Sequence, residues 1–342
     1  EAYGNSGMGK PFSEANIQDW RDHQGDDPIL WPNSNWMDAV FRTAVTSNHT
    51  LSVTAGTEKV KTYASFNFEN TPGIIEKTGM KKQSFRSNTD IKPTKWLDLG
   101  MNLNGVLVDK SMGSSMLGTM FTNSIICVPT VVIRTPDGRY GGQNNSEDNQ
   151  YAESPLAYLN SIRGENKTYS MKTRFFGTIT PLKGLSINGS YNYEFFMHRT
   201  MSRPHGIDRW NFQTNTILVQ GKPSLYISYA ESKNVRNMMD GNITYEHKFF
   251  DDNLYFKILG GSSQEQFESD YNSATKQGLI DQDLTQLDAA NGEASASGYL
   301  SDWSMRSYFG RLNLSWADKY LVELNIRRDG SPRFRSNNRW GN

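Results

Sequence analysis

Leu97-Asp98-Leu99-Gly100-Met101-Asn102-Leu103-Asn104 decides the fold. Apolar and polar residues alternate through it without a break. A period of two sends one set of side chains to each face of a β-strand. Leu185, Ile187, Tyr191, Tyr193 and Phe195 alternate in the same way with Ser186, Asn188, Ser190, Asn192 and Glu194. Val322, Leu324 and Ile326 alternate with Glu323, Asn325 and Arg327. The fold class expected from this rhythm is all-β, and the connections between the segments say which kind.

Ten strands are expected, near 48–56, 61–70, 82–91, 96–108, 168–180, 185–197, 235–249, 254–264, 303–316 and 320–330. Thr57–Val60, Lys92–Lys95, Pro181–Gly184, Phe250–Asn253 and Ala317–Lys319 read as tight turns. The connections near 71–81, 109–167, 198–234 and 265–302 are all longer. Short and long alternate without exception, so all tight turns share one rim and all long loops the other. That is the pattern of an antiparallel transmembrane β-barrel, with the tight rim periplasmic and the loop rim extracellular. The expected localisation is therefore the outer membrane of a Gram-negative cell.

Bulk composition is compatible with this. The 342 residues are 36% hydrophobic, with 36 basic and 36 acidic residues and a mean hydropathy of −0.66. No apolar run approaches the roughly 18 residues of a membrane helix. A barrel strand needs only about 9–11 residues, with every second one apolar. Zero net charge gives no sign of a nucleic-acid partner. The lone Cys127 excludes an internal disulfide. Glu1–Lys10 carries no signal-peptide pattern, so the chain is expected to be an internal fragment.

Residues 1–47 do not alternate. They are expected to form an extracellular loop after a missing first strand, with one short helix at Ser13–His23. Residues 48–330 hold the barrel strands and loops, and 331–342 begin the next extracellular loop. In the 109–167 loop, apolar Ile125–Ile133 and the turn signal Pro136-Asp137-Gly138 predict a local hairpin or a packed subdomain. Leu225, Ile227 and Tyr229 predict an extension of the sheet beyond the membrane. Trp96, Phe249, Phe250, Tyr255, Trp316 and Tyr320 flank tight turns and suit the aromatic belt at the headgroup level.

Catalytic chemistry is not legible, and no enzyme, cofactor or metal is expected. His23, His49, His198, His205 and His247 lack metal-ligand spacing. Asp26/Asp27, Asp251/Asp252 and Asp281/Asp283 read as turn formers rather than as a glycosidase pair. The Asn-x-Ser/Thr triplets at Asn48, Asn144, Asn166, Asn188, Asn242 and Asn313 carry no weight, since several lie in expected strands. The run Arg327, Arg328, Arg333, Arg335 and Arg339 is read as paired or solvated. Trp20, Trp31, Trp36 and Trp210 suit either sugar stacking or loop packing. Substrate-binding residues are left unassigned.

Several segments resemble the SusC/RagA-type TonB-dependent outer-membrane transporters. They are Asp27–Trp36 with Asp38 and Phe41-Arg42, Leu51–Lys59 with Tyr63 and Gly73–Ile75, Trp96–Asn102, and Pro136–Tyr140. The most specific are Ser307–Asn313, Arg328–Phe334 and Asn338–Gly341. The resemblance implies about ten strands of a 22-stranded barrel, roughly its first half, without the plug domain. It implies import of glycans, oligosaccharides or peptides, a SusD-like surface lipoprotein as partner, and TonB engaged through the missing N-terminal part. Two other classes remain open. A secreted β-rich carbohydrate-binding or carbohydrate-active protein would not segregate short from long connections. A passive porin or adhesin would lack an upstream plug.

Overall fold

The period-two segments emerge as one antiparallel meander. The computed structural model describes residues 12–113, 117–143, 147, 154–219, 225–251 and 253–342. In chain order the elements are α1 (Glu14–Asp22), α2 (Trp36–Val40), β1 (Ser47–Gly56), β2 (Val60–Pro72), β3 (Gly79–Thr94), β4 (Leu97–Lys110) and α3 (Leu117–Ile126). They continue with β5 (Tyr140–Gly141), α4 (Pro155–Asn160), β6 (Ile162–Leu182), β7 (Leu185–Pro204), β8 (Arg209–Asn211) and β9 (Thr216–Val219). The last are β10 (Tyr226–Phe249), β11 (Leu254–Gln277), β12 (Ala294–Trp316), β13 (Tyr320–Gly330) and β14 (Trp340–Gly341). The sheet order β1-β2-β3-β4-β6-β7-β10-β11-β12-β13-β14 follows the chain, and β5, β8 and β9 form a separate three-stranded sheet. Expectations for Glu1–Lys10, Asn144 and Asp252 lie outside the described residues.

Two adjacent rows of cross-strand partners show what the alternation does. One row runs Leu97, Ile179, Ile187, Ile243, Gly260, Gly310 and Ile326. The row one residue further along runs Asp98, Thr178, Asn188, Asn242, Gly261, Phe309 and Arg327. One face of the sheet is thus apolar and the other largely polar. The apolar face is bare: Leu324 is 59% and Ile326 70% exposed, and Leu51, Phe66, Phe85 and Phe175 are exposed on the same side. No second sheet seals this face among the described residues, since β5, β8 and β9 are only two to four residues long. Uncovered apolar surface on this scale needs a hydrocarbon neighbour.

The tight turns share one rim. Thr57 Oγ1 accepts from the amides of Lys59 (3.3 Å) and Val60 (3.1 Å). Phe250 and Asp251, and again Ala317 and Asp318, have positive φ, the twist that two-residue hairpins favour. Two expected turns are shorter than the sequence suggested. β3 continues through Pro93 to Thr94, and β6 through Pro181 to Leu182, each with a register shift. Proline lacks the N–H that a ladder needs, and a bulge accommodates it. The turns proper are Lys95-Trp96 and Lys183-Gly184, with Gly184 at φ +85°.

Strands outrun their expected ends on the loop rim. β10 begins at Tyr226, β11 reaches Gln277 and β12 begins at Ala294. Ile227 and Tyr229 therefore extend the sheet, as expected. The cause is physical. Alternation is enforced only where one face meets hydrocarbon; beyond that height the ladder of backbone bonds suffices, and Ser, Asn, Gln and Glu serve.

The remaining chain packs at the loop rim. Val40, Ile75, Met120, Leu156 and Leu159 form one buried cluster, and Trp36, Cys127, Val128 and Val131 a second. Each fully buried aliphatic side chain contributes about 1.5–3 kcal/mol. Ser13 caps α1 by accepting from the Asn16 amide (3.2 Å). The described part of the 109–167 connection is a packed subdomain rather than a hairpin, because β5 pairs in parallel with β8. No helix among the described residues is long and apolar enough to cross a membrane.

Candidate channel wall and rim cavity

The polar face of the sheet is a continuous hydrogen-bonded surface. Thr178 Oγ1 donates to Asn188 Oδ1 (2.8 Å), and Asn188 Nδ2 to Asn242 Oδ1 (3.0 Å). Ser190 donates to Asp240 (2.6 Å). Arg236 Nε meets Glu265 Oε1 at 2.6 Å, and Lys172 lies 3.6 Å from Glu194. Asn313 Nδ2 donates to Glu323 Oε2 (2.7 Å), and Arg311 Nε to Asn325 Oδ1 (2.7 Å). Pairs this exposed add little stability. They give the wall a mixed-sign, wettable surface with no metal-binding cluster of three or more His, Cys, Asp or Glu among the described residues.

Aromatic rings gather at the tight rim. Phe249 and Phe250 are 6.4 Å apart, Phe250 and Trp316 6.1 Å, and His247 lies 4.5 Å from Phe249. Trp96 and Tyr320 are exposed nearby in sequence to their turns. Tyr255 is a correction. It sits on the polar face, where its hydroxyl donates to Glu246 Oε2 (2.9 Å). The sequence placed it beside a turn, but its position relative to Leu254 and Phe256 puts it on the opposite parity from the belt.

The structure separates the four loop tryptophans. Trp36 is buried, with Nε1 donating to the Val128 carbonyl (2.9 Å). Trp210 lies under the Arg139 guanidinium, 4.8 Å from its ring centre. Arg139 also binds Asp137 at 2.8 Å; the Thr135 hydroxyl, then Arg139, holds the Asp137 carboxyl below its usual range. Both tryptophans are packing groups. Trp20 and Trp31 instead line a cavity of about 320 Å³ between α1 and Val128–Thr130. Their rings meet edge to face at 5.0 Å, and His23 stacks on Trp31 at 4.1 Å.

Several of the other singled-out residues have structural partners. Asp27 Oδ1 accepts from the amides of Ile29 (2.8 Å) and Leu30 (3.3 Å), closing a turn. Asp283 binds Arg163 (3.2 Å) and Arg203 (3.7 Å), two residues directly opposite in the β6–β7 ladder. Arg327 pairs with Asp329 (2.9 Å), and Arg328 lies over Trp340. His198 Nδ1 is 3.0 Å from Thr168 Oγ1. His205 has its pKa lowered, first by burial and then by Arg163.

A wall with one hydrocarbon face and one wet face, short turns below and a packed rim above, defines a barrel of the outer-membrane type. Comparison with known proteins narrows the class. No family model matches the chain. The chain is 27% identical over 323 residues to TonB-dependent receptor P26 of Formosa agariphila, covering 92% of this chain and 31% of that protein. It is 23% identical over 345 residues to TonB-dependent receptor SusC of Bacteroides thetaiotaomicron, covering 90% and 31%. The RagAB peptide transporter shares the fold, with a TM-score of 0.74 at 19% identity over 96% of this chain and 36% of that one. Over nine-tenths of its length the chain is similar to TonB-dependent receptors of the SusC/RagA type, and its fold is that of part of an outer-membrane β-barrel. It spans about a third of the length of the curated relatives it matches.

Proposed function

We propose that these strands form part of the wall of an outer-membrane importer for glycans, oligosaccharides or peptides. One observation carries the reading: adjacent cross-strand rows of the same sheet differ in character, one apolar and bare, the other largely polar and hydrogen-bonded. Such a wall separates lipid from a watery passage. In this reading the tight rim is periplasmic and the loop rim extracellular. Residues 1–47 and 331–342 then belong to extracellular loops, and 48–330 to the barrel.

The importer works with a SusD-like surface lipoprotein at the loop rim and draws on TonB through another part of the full-length receptor. The uncharged helix α3 supports a protein partner there, since it turns Leu117, Phe121 and Ile125, spaced one turn apart, toward solvent. The test is uptake. Cells lacking the full-length receptor should lose growth on one class of oligosaccharide or peptide and regain it on complementation. Undiminished growth on every such substrate overturns the reading.

A further inference from the structure

We infer that the cavity beside α1 is a sugar-binding subsite, with Trp20 and Trp31 as its stacking surfaces. The inference takes its setting from the importer reading and names the substrate class of that importer as glycan. Its evidence is local.

The cavity measures about 320 Å³, which lies within the range of small-molecule sites. Its walls are set before any ligand arrives. Ser34 N donates to the Pro129 carbonyl (2.9 Å), Ser34 Oγ to the Val131 carbonyl (2.7 Å), and Trp36 Nε1 to the Val128 carbonyl (2.9 Å). Those bonds tie the Trp31–Asn33 side to the Val128–Thr130 side. Trp31 is further held by the His23 ring stacked on it and by its edge-to-face contact with Trp20. A preformed site loses less entropy on binding.

The lining fits a neutral, hydroxyl-rich ring. Phe12, Trp20 and Trp31 supply the apolar part of the lining, against which the C–H face of a sugar packs. Asn16, Gln24 and Asn33 supply amides, which both donate and accept, as sugar hydroxyls do. No carboxylate lines the cavity, and Arg21 is its one cation among the described residues. A peptide is the poorer fit. Its row of N–H groups seeks a strand edge, whereas a helix and two loops form these walls. Trp20, Trp31 and Asn16 also border a neighbouring trough of about 490 Å³ with Asp19 and Glu147. A chain of sugars thus has room to continue past the tryptophan pair.

The test uses the full-length receptor purified in detergent. Maltohexaose, cellohexaose, xylohexaose and mannohexaose are titrated while tryptophan fluorescence is followed. At least one should bind, and Trp31→Ala or Trp20→Ala should weaken it about tenfold, a loss of ~1.4 kcal/mol. Trp340→Phe should leave the affinity unchanged. If an alanine variant loses the heat-modifiable gel migration of a folded barrel, Trp31→Phe replaces it. Protection of the wild-type tryptophans from N-bromosuccinimide by bound saccharide supplies a second readout. Failure of all four sugars to bind overturns the subsite, as does unchanged affinity in both alanine variants. Binding of an alanine-rich peptide that Trp31→Ala abolishes also overturns the glycan assignment. Uptake keeps the two readings apart. Uptake lost on deleting the receptor but normal in both alanine variants overturns the subsite and leaves the importer standing. Uptake indifferent to deletion overturns the importer, while the titration still decides the subsite.

Discussion

Phe176 lays its ring across Gly100, its directly opposed partner in the β4–β6 ladder. A β-carbon at position 100 would stand 2.8 Å from Phe176 Cε1 and nearer still to the rest of the ring edge. The Arg174 guanidinium sits 5.1 Å from the centre of the same ring. An aromatic side chain thus lies flat on the polar wall because the residue beneath it has no side chain.

A sign reversal follows from that seat. Replacing a strand glycine with a β-branched residue normally gains about 0.5–1 kcal/mol. Gly100→Val should instead lower the thermal midpoint of the full-length receptor, because the ring must leave. In a Phe176→Ala background the same substitution should raise it. Equal effects in both backgrounds would show that the two residues are not coupled.

The two faces should respond oppositely to charge. Leu324→Arg places a cation on the bare apolar face and should cost about 2–4 kcal/mol if it lies near mid-bilayer depth. Asn325→Arg, one residue on, meets the wet polar face between Glu323 and Arg311 and should cost far less. Outer-membrane levels of the two full-length variants check this: Leu324→Arg should be depleted and Asn325→Arg close to wild type.

The 342-residue chain expressed alone should not give a heat-resistant barrel. β1 and β14 end the sheet without pairing to each other, and an unpaired backbone polar group in hydrocarbon costs several kcal/mol. Refolding into lipid vesicles followed by unheated gel migration is the measurement. A compact, fast-migrating band would contradict the expectation.

His205 should make one corner of the loop rim sensitive to acid. Its backbone N–H binds the Ser161 carbonyl, and the neighbouring Gly206 amide binds Gln282. Arg163, Arg203 and Lys77 oppose its protonation and Asp283 favours it, with burial the largest influence. The folded pKa is lowered from the ordinary value of about 6.5. The unfolded corner therefore takes up the proton first. Its stability is intact above about pH 6.5 and falls as pH drops through the lowered folded value. Hydrogen exchange at Gly206 should accelerate more between pH 7.5 and 5.5 than in His205→Gln, after correction for intrinsic rates.

Much of this was readable from residues alone, for a reason the structure makes plain. Hydrocarbon on one side of β4, β7 and β13 forces the period of two, so those strands and their tight turns declare themselves. Glu265 to Gln277 carries no such rhythm, and that half of β11 reads as loop from the sequence. Turn proximity, unlike parity, says nothing about which face a ring takes, and Tyr255 takes the polar one. Trp36 and Trp20 look alike in sequence. Only the fold brings Val128, 92 residues away, to the indole of one and leaves the other beside a cavity. The Arg163–Arg203 opposition, bridged by Asp283, had no signal short of the register itself.

Strand length has a consequence for the outline of the sheet. β10 and β11 have 24 residues each and β12 has 23, while β1 has 10. At roughly 3.3 Å per residue, the longer strands reach more than twice as far. The loop-side edge of the sheet is therefore stepped, low at β1 and high at β10–β12.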